Sequence, residues 1–423
     1  MAKRHFPVRP NLDQLKHQAK ELLRDLRRRE PDALDDFTEH HPKPPEPASA
    51  RLADAQLVMA RSYGLPSWPR LVTACHMTDA ICRGDVETVR TLVLRDPTLI
   101  KEDARGVKGN WGPPMSYAAN LGQDAIIEML RELGAADMEY AFGRACLQGK
   151  IETARKLHSM MGHPRPGDHQ LGGPAYTLDV AGTALLLELG ARVYDDLGNR
   201  LAPVDIVLET DSRKPSAKHR ILELYVEYGL GLPDTPTMAL HRGRIDLLEE
   251  HLRRDPNLLR RTFDHTEIYP PELGCHDEIL ATHGTPLAGT TLLHMCADYG
   301  EYEIARWLLD HGMNADEKAA VDADGFGGHT ALFSAVVSQA NFGINHHGKA
   351  PDTSFARLLL ERGANPMVRA SLRKELHPGY EIAGMHEYRD VTPLMWGEQF
   401  HFKKLVNTAA MQLIRDRVEQ MSL

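Results

Sequence analysis

Three stretches in the last third of the chain concentrate side chains that move protons or hold ions. Residues 263–289 carry Asp264, His265, Glu267, Tyr269, His276, Asp277 and His283, and residues 317–329 carry Asp322, Asp324, Phe326 and His329. Residues 369–391 add Arg373, Glu375, His377, Tyr380, Glu381, His386, Tyr388 and Arg389. Histidine and carboxylate do general acid and base work near neutral pH, and they are also common nitrogen and oxygen metal ligands. Arg373 and Arg389 each present a planar fork suited to a carboxylate or a phosphate. On residue type, His265, Glu267, His283, His329 and His386 are the acid, base or ligand candidates, with no individual roles assigned. For any single one of these histidines, pinning a loop or facing solvent outweighs metal ligation.

Known catalytic signatures do not absorb these residues. HDEILATH sets His276 and His283 seven apart, nearly one face if helical, while HEYRD from His386 lacks the second histidine of HExxH. GINHHGK, residues 343–349, has the spacing of a phosphate-binding loop. Ala350 stands where Ser or Thr would hold magnesium, however, and no strand precedes it. GxSxG and GxGxxG are absent.

Composition narrows the classes. The 423 residues are 42% hydrophobic and carry a net charge of -9, which gives no electrostatic footprint for nucleic acid. No apolar run approaches the roughly 18 residues of a membrane helix, and MAKRHFPVRP is not followed by the apolar segment of a secretory signal. Cys75, Cys82, Cys146, Cys275 and Cys296 are scattered, odd in number and without a CxxC pair, as expected of buried thiols in a reducing cytoplasm. The basic run RDLRRRE is interleaved with acids and reads as a solvated helix face.

The elements that must position the three stretches follow a repeat. TTLLHMCADYGEYEIARWLLDHGMNAD, from Thr290, reads as two short helices around Gly300, with Leu293, Cys296 and Ala297, then Ile304, Ala305, Leu308 and Leu309, at helical spacing. The second half, a glycine, an acidic or amide residue and then an apolar helix, recurs from Gly84, Gly122, Gly149 and Gly243, and partially before Ala191, Gly229 and Pro366. Closing glycines suit a left-handed helix end. TLLHMCA resembles the Thr-Pro-Leu-His-x-Ala signature of ankyrin repeats, with weaker versions in TALFSA, TPLMWG, PPMSYA and APVDIV. Threonine caps such a helix and proline fits its first turn.

The chain therefore resembles the ankyrin-repeat family over roughly residues 76–417. The resemblance implies an all-α solenoid of about eight partly degenerate helix pairs, with a concave face of inner helices and finger-like hairpins. His294 is the motif histidine, which the resemblance assigns to holding a finger backbone. NLDQLKHQAKELLRDLRR has an apolar stripe of Leu12, Leu15, Ala19, Leu22, Leu23 and Leu26. With LADAQLVMARSYGLPSWPRL it resembles a segment ahead of bacterial ankyrin arrays, which implies a helical cap over residues 1–75. Trp68, between turn and helix, reads as a wedge at a junction rather than a ligand stacker. Repeats would then fill 76–261, and 262–423 would hold repeats with long insertions and a C-terminal cap.

Units of this kind run about 33 residues, so the three chemistry-bearing stretches are insertions at the finger position. A fourth, residues 338–352, separates the two helices of one unit. Ordering an insertion costs about 1–2 kcal/mol per residue, yet FDHTEIYPPELGCHDEILATHGTPLAG has the aromatic and apolar content of a folded loop. Two functions follow. The first is a binding scaffold that offers a concave surface to a protein or peptide. The alternative is a small-molecule or metal-binding site, open to enzymatic use, roofed by the insertions over inner-helix residues such as Trp396 and Phe400. The binding candidates are His265, Glu267, Tyr269, His276, His283, Asp324, Phe326, His329, Arg373, Tyr380, His386, Tyr388 and Trp396; catalytic residues, metal and cofactor are left open. A protein partner in the cytoplasm is expected, a small molecule stays open, and neither nucleic acid nor membrane is.

Overall fold

A computed structural model describes residues 4–276, 284–338, 352–375 and 384–421. The chain divides into two compact units, Met1–Arg165 and Pro166–Leu423.

The first unit opens on helices Leu12–Arg27, Pro31–His40, Leu52–Ser62 and Trp68–Arg83. Asn11 caps the first by accepting the amides of Asp13 and Gln14, and its stripe of Leu15, Ala19, Leu22 and Leu26 is buried. Two apolar clusters form here, one around Leu26, Phe37 and Val58 and the other around Phe6, Leu65 and Leu71. Trp68 packs against both, so it fills a junction as its flanking turn suggests. Helix pairs follow: Trp68–Arg83 with Val86–Arg95, Pro114–Leu121 with Asp124–Glu132, and Met138–Leu147 with Ile151–Met160. Gly84 and Gly122 end their helices with φ of 70° and 73°, a region costly for a residue with a Cβ.

In the second unit the pairing continues from Gly172–Thr177 with Val180–Glu188 to Pro393–Gln399 with Thr408–Met421. Thr235 and Thr392 accept the amides of Met238 and Met395 ahead of a first-turn proline, as the Thr-Pro spacing requires. Within Leu292–Tyr299 and Tyr302–Asp310, the apolar residues of the repeat are buried. His294 donates from Nε2 to the His329 carbonyl at 3.0 Å and accepts the Thr291 hydroxyl at Nδ1 at 2.9 Å. Burial lowers its pKa to about 4, so the ring stays neutral and keeps this tautomer.

Backbone hydrogen bonds tie the finger insertions together at their bases. Phe263 and Thr290 pair at the base of the first, where the Phe263 amide donates to Thr290 O at 2.8 Å. The Ala320 amide, in the second, donates to Gly289 O at 2.7 Å. Gly327, after the turn, donates to Ser371 O in the third, also at 2.7 Å. There the chain forms an antiparallel pair, β1 (Ala370–Glu375) and β2 (Met385–Val391), in which Leu372 faces Tyr388 and Lys374 faces His386. The all-helical expectation thus meets a local exception. A register shift between Ala370 and Leu372 accompanies a left-handed Asp390, φ 52°, whose amide donates to Ser371 Oγ.

Candidate functional site

The three insertions surround a cleft of about 460 Å³, a volume ordinary for a ligand or side-chain pocket. Pro286 and Ala288 come from the first, Ala320, Val321 and Phe326 from the second, and Leu372 and Met385 from the third. Asp264, Asp322, His329, Arg373, Lys374 and Glu375 complete the lining. Val321 and Met385 are 62% and 54% exposed, so apolar surface reaches the rim.

Arg373 forms the fork its residue type suggests, but with its own chain. Its guanidinium donates to Asp324 at 2.9 Å and Asp322 at 2.8 Å. The Phe326 amide, and then the Asp324 amide and Arg373, hold the Asp322 carboxyl below its ordinary value. Phe326 is buried, with Arg373 and Arg389 over its ring at 4.9 and 4.2 Å.

The remaining candidates mostly pin loops. His265 Nε2 donates to the His276 carbonyl at 2.9 Å. His276 in turn holds Glu209, by its amide at 2.6 Å and by Nδ1 at 2.7 Å. Glu267 accepts the Asp264 amide at 2.9 Å and pairs with Arg261 at 2.6 Å, which makes it a helix cap. His329 is buried and donates to the Pro286 carbonyl at 3.1 Å, so the second finger fixes the end of the first. In the third finger Tyr388 donates to His401 Nδ1 at 2.6 Å, while His386 stacks on His401 at 3.8 Å. Burial, and then the charges of His386, Lys374 and Lys403, push His401 down to about 4.

Trp396 and Phe400 are fully buried, and the Trp396 indole donates to Thr285 Oγ1 at 3.0 Å. Trp396 thereby anchors the first finger, and Phe400 packs against Trp396 at 4.8 Å. His283 and Tyr380 lie outside the described residues, as does the GINHHGK segment. Of the thirteen binding candidates, the structure places Phe326, His329 and Arg373 on the cleft itself.

A buried polar cluster below the first finger escaped the sequence reading. Arg213 pairs with Asp298 at 3.1 Å, and Lys218 with Glu301 at 2.9 Å; His219 also reaches Glu301 at 2.9 Å. The Tyr299 ring lies 4.6 Å from the Arg213 guanidinium and 4.1 Å from the Lys218 ammonium. Its hydroxyl bonds that of Tyr269, the finger's buried tyrosine, and donates to Leu208 O at 2.9 Å. The available signal was the run Asp298, Tyr299, Gly300, Glu301: charge where a repeat helix ends.

Among the described residues, no group of three or more His, Cys, Asp or Glu could hold a metal ion, and no helix is long and apolar enough to cross a membrane. None of the five cysteines forms a disulfide. Residues 239–370 match the family described as ankyrin repeats, in three copies. No curated protein matches the chain. Among solved structures, the crystal structure of the human ASB11 ankyrin repeat domain is similar at 14% identity, over 80% of this chain and 96% of that one, with a TM-score of 0.21.

Proposed function

We propose, for a chain whose residues 239–370 belong to the ankyrin-repeat family, that the finger cleft is the docking site of a protein-interaction scaffold. Ankyrin repeats generally serve as protein–protein interaction scaffolds. The observation that carries the reading is the meeting of all three insertions around apolar walls, with exposed Val321 and Met385 at the rim. An apolar patch bordered by charge is the usual form of a recognition surface. The partner is then a protein or peptide that inserts a side chain between the fingers. Acid–base chemistry has less to draw on at this cleft, because of His265, His276 and His329 only His329 lines it.

A photo-crosslinking amino acid placed singly at Val321, Met385 and Leu94 tests this. Leu94 is 62% exposed in the first unit, so it reports on exposure alone. The expected result is one shared adduct mass from Val321 and Met385, absent from Leu94 and lost when Gly327→Ala opens the fingers. Adducts of equal yield from all three positions, or none from the finger positions, would refute the docking site.

A further inference from the structure

The charges around the cleft specify more than an apolar anchor. Each arginine beside it already has a carboxylate: Arg373 holds Asp322 and Asp324, Arg261 holds Glu267, and Arg389 holds Glu387. Lys374 is 4% exposed and already engaged. Two lining carboxylates, Asp264 and Glu375, have no ion-pair partner among the described residues. They stand on different fingers, the first and the third, so apolar walls lie between two carboxylates without a paired cation, one of which, Asp264, also caps a short helix.

We infer that the cleft selects a partner segment in which a large apolar side chain stands beside a lysine or arginine. This rests on reading the cleft as the docking site. The apolar side chain fills the space bounded by Pro286, Val321, Leu372 and Met385, while the cation meets Asp264 or Glu375. An acidic segment finds the same carboxylates and, among the described residues that line the cleft, no open cation, a like-charge contact that disfavours it. The net charge of -9 over the chain adds long-range attraction for a basic segment.

Fluorescence polarisation on the full chain tests the inference with short labelled peptides that share a leucine anchor and differ only in a neighbouring Lys, Gln or Glu. The Lys peptide is expected to bind roughly fivefold tighter than the Glu peptide, as one exposed and one partly buried carboxylate allow. That preference should fall within about twofold in Asp264→Asn with Glu375→Gln, and likewise at about 0.5 M salt, where screening acts within a few ångströms. Asparagine keeps the helix-capping capacity of position 264, so the double variant tests charge and not folding. A Glu peptide that binds as tightly as the Lys peptide overturns the inference, and so does a Lys preference that survives the double variant. If no peptide binds while crosslinks form at Met385, the inference fails and the docking site stands. If neither occurs, both fail.

Discussion

Glu301→Gln destabilises the second unit by about 3–5 kcal/mol at neutral pH, the usual cost of removing one partner from a buried ion pair. Glu301 is 3% exposed, as is the Lys218 side chain that it meets at 2.9 Å, so the substitution leaves an ammonium in a dry environment. Burial pushes the Glu301 carboxyl up, but Lys218 and then His219 outweigh it and hold the group below its ordinary 4.5. A depressed carboxyl contributes stability above its unfolded value and loses it as pH falls through the folded one. The gap between wild type and Glu301→Gln should therefore be full above about pH 5 and narrow below 4.5. Replacing both partners, with Lys218→Met and Glu301→Leu, should recover most of the loss, since an apolar pair of similar volume leaves no orphaned charge. Urea unfolding at several pH values measures all three. A gap that is flat with pH would remove the ion pair from the account.

Gly327→Ala is expected to separate the fingers. At φ 123° the position is strained for any residue with a Cβ, and that Cβ would sit 1.9 Å from the Ala320 carbonyl oxygen. Strain alone costs about 1–3 kcal/mol, and the backbone contact forces the second finger to shift. Gly327 also donates to Ser371, so the shift breaks the link to β1. Gly325→Ala is the control: φ is 85°, but nothing lies within 4 Å of its Cβ position. It should cost about 1–2 kcal/mol from its left-handed backbone while the cleft survives. Equal loss of adducts at Val321 in both variants would mean that the fingers do not depend on that carbonyl contact.

The repeat was legible because its signals are local. Thr392 before Pro393 announces a cap, and Gly300 after Tyr299 announces a helix end, each within a few residues. Excess length located the insertions for the same reason. The contacts that join them were not legible, because many run through the amides of Phe263, Ala320 and Gly327, which every residue type but proline carries. Histidines and carboxylates could be read as types, but whether His329 faces a ligand or the Pro286 carbonyl depends on tertiary geometry. In β1, inward Ala370, Leu372 and Lys374 alternate with period two, yet a lysine at a buried position hides the strand pattern. Lys218 and Glu301 are far apart in sequence, and nothing local to Lys218 announces its burial.

Amide hydrogen exchange, resolved at Phe263, Ala320 and Gly327, tests most directly whether the three insertions form one joined structure. These amides donate between segments at 2.7–2.8 Å, so they should be protected together in the wild type. In Gly327→Ala, Ala320 and position 327 should lose protection while Phe263, at the base of the first finger, keeps it. Exchange at Ala320 and Gly327 as fast as in an open chain, in the wild type, would contradict the joined fingers and the cleft between them.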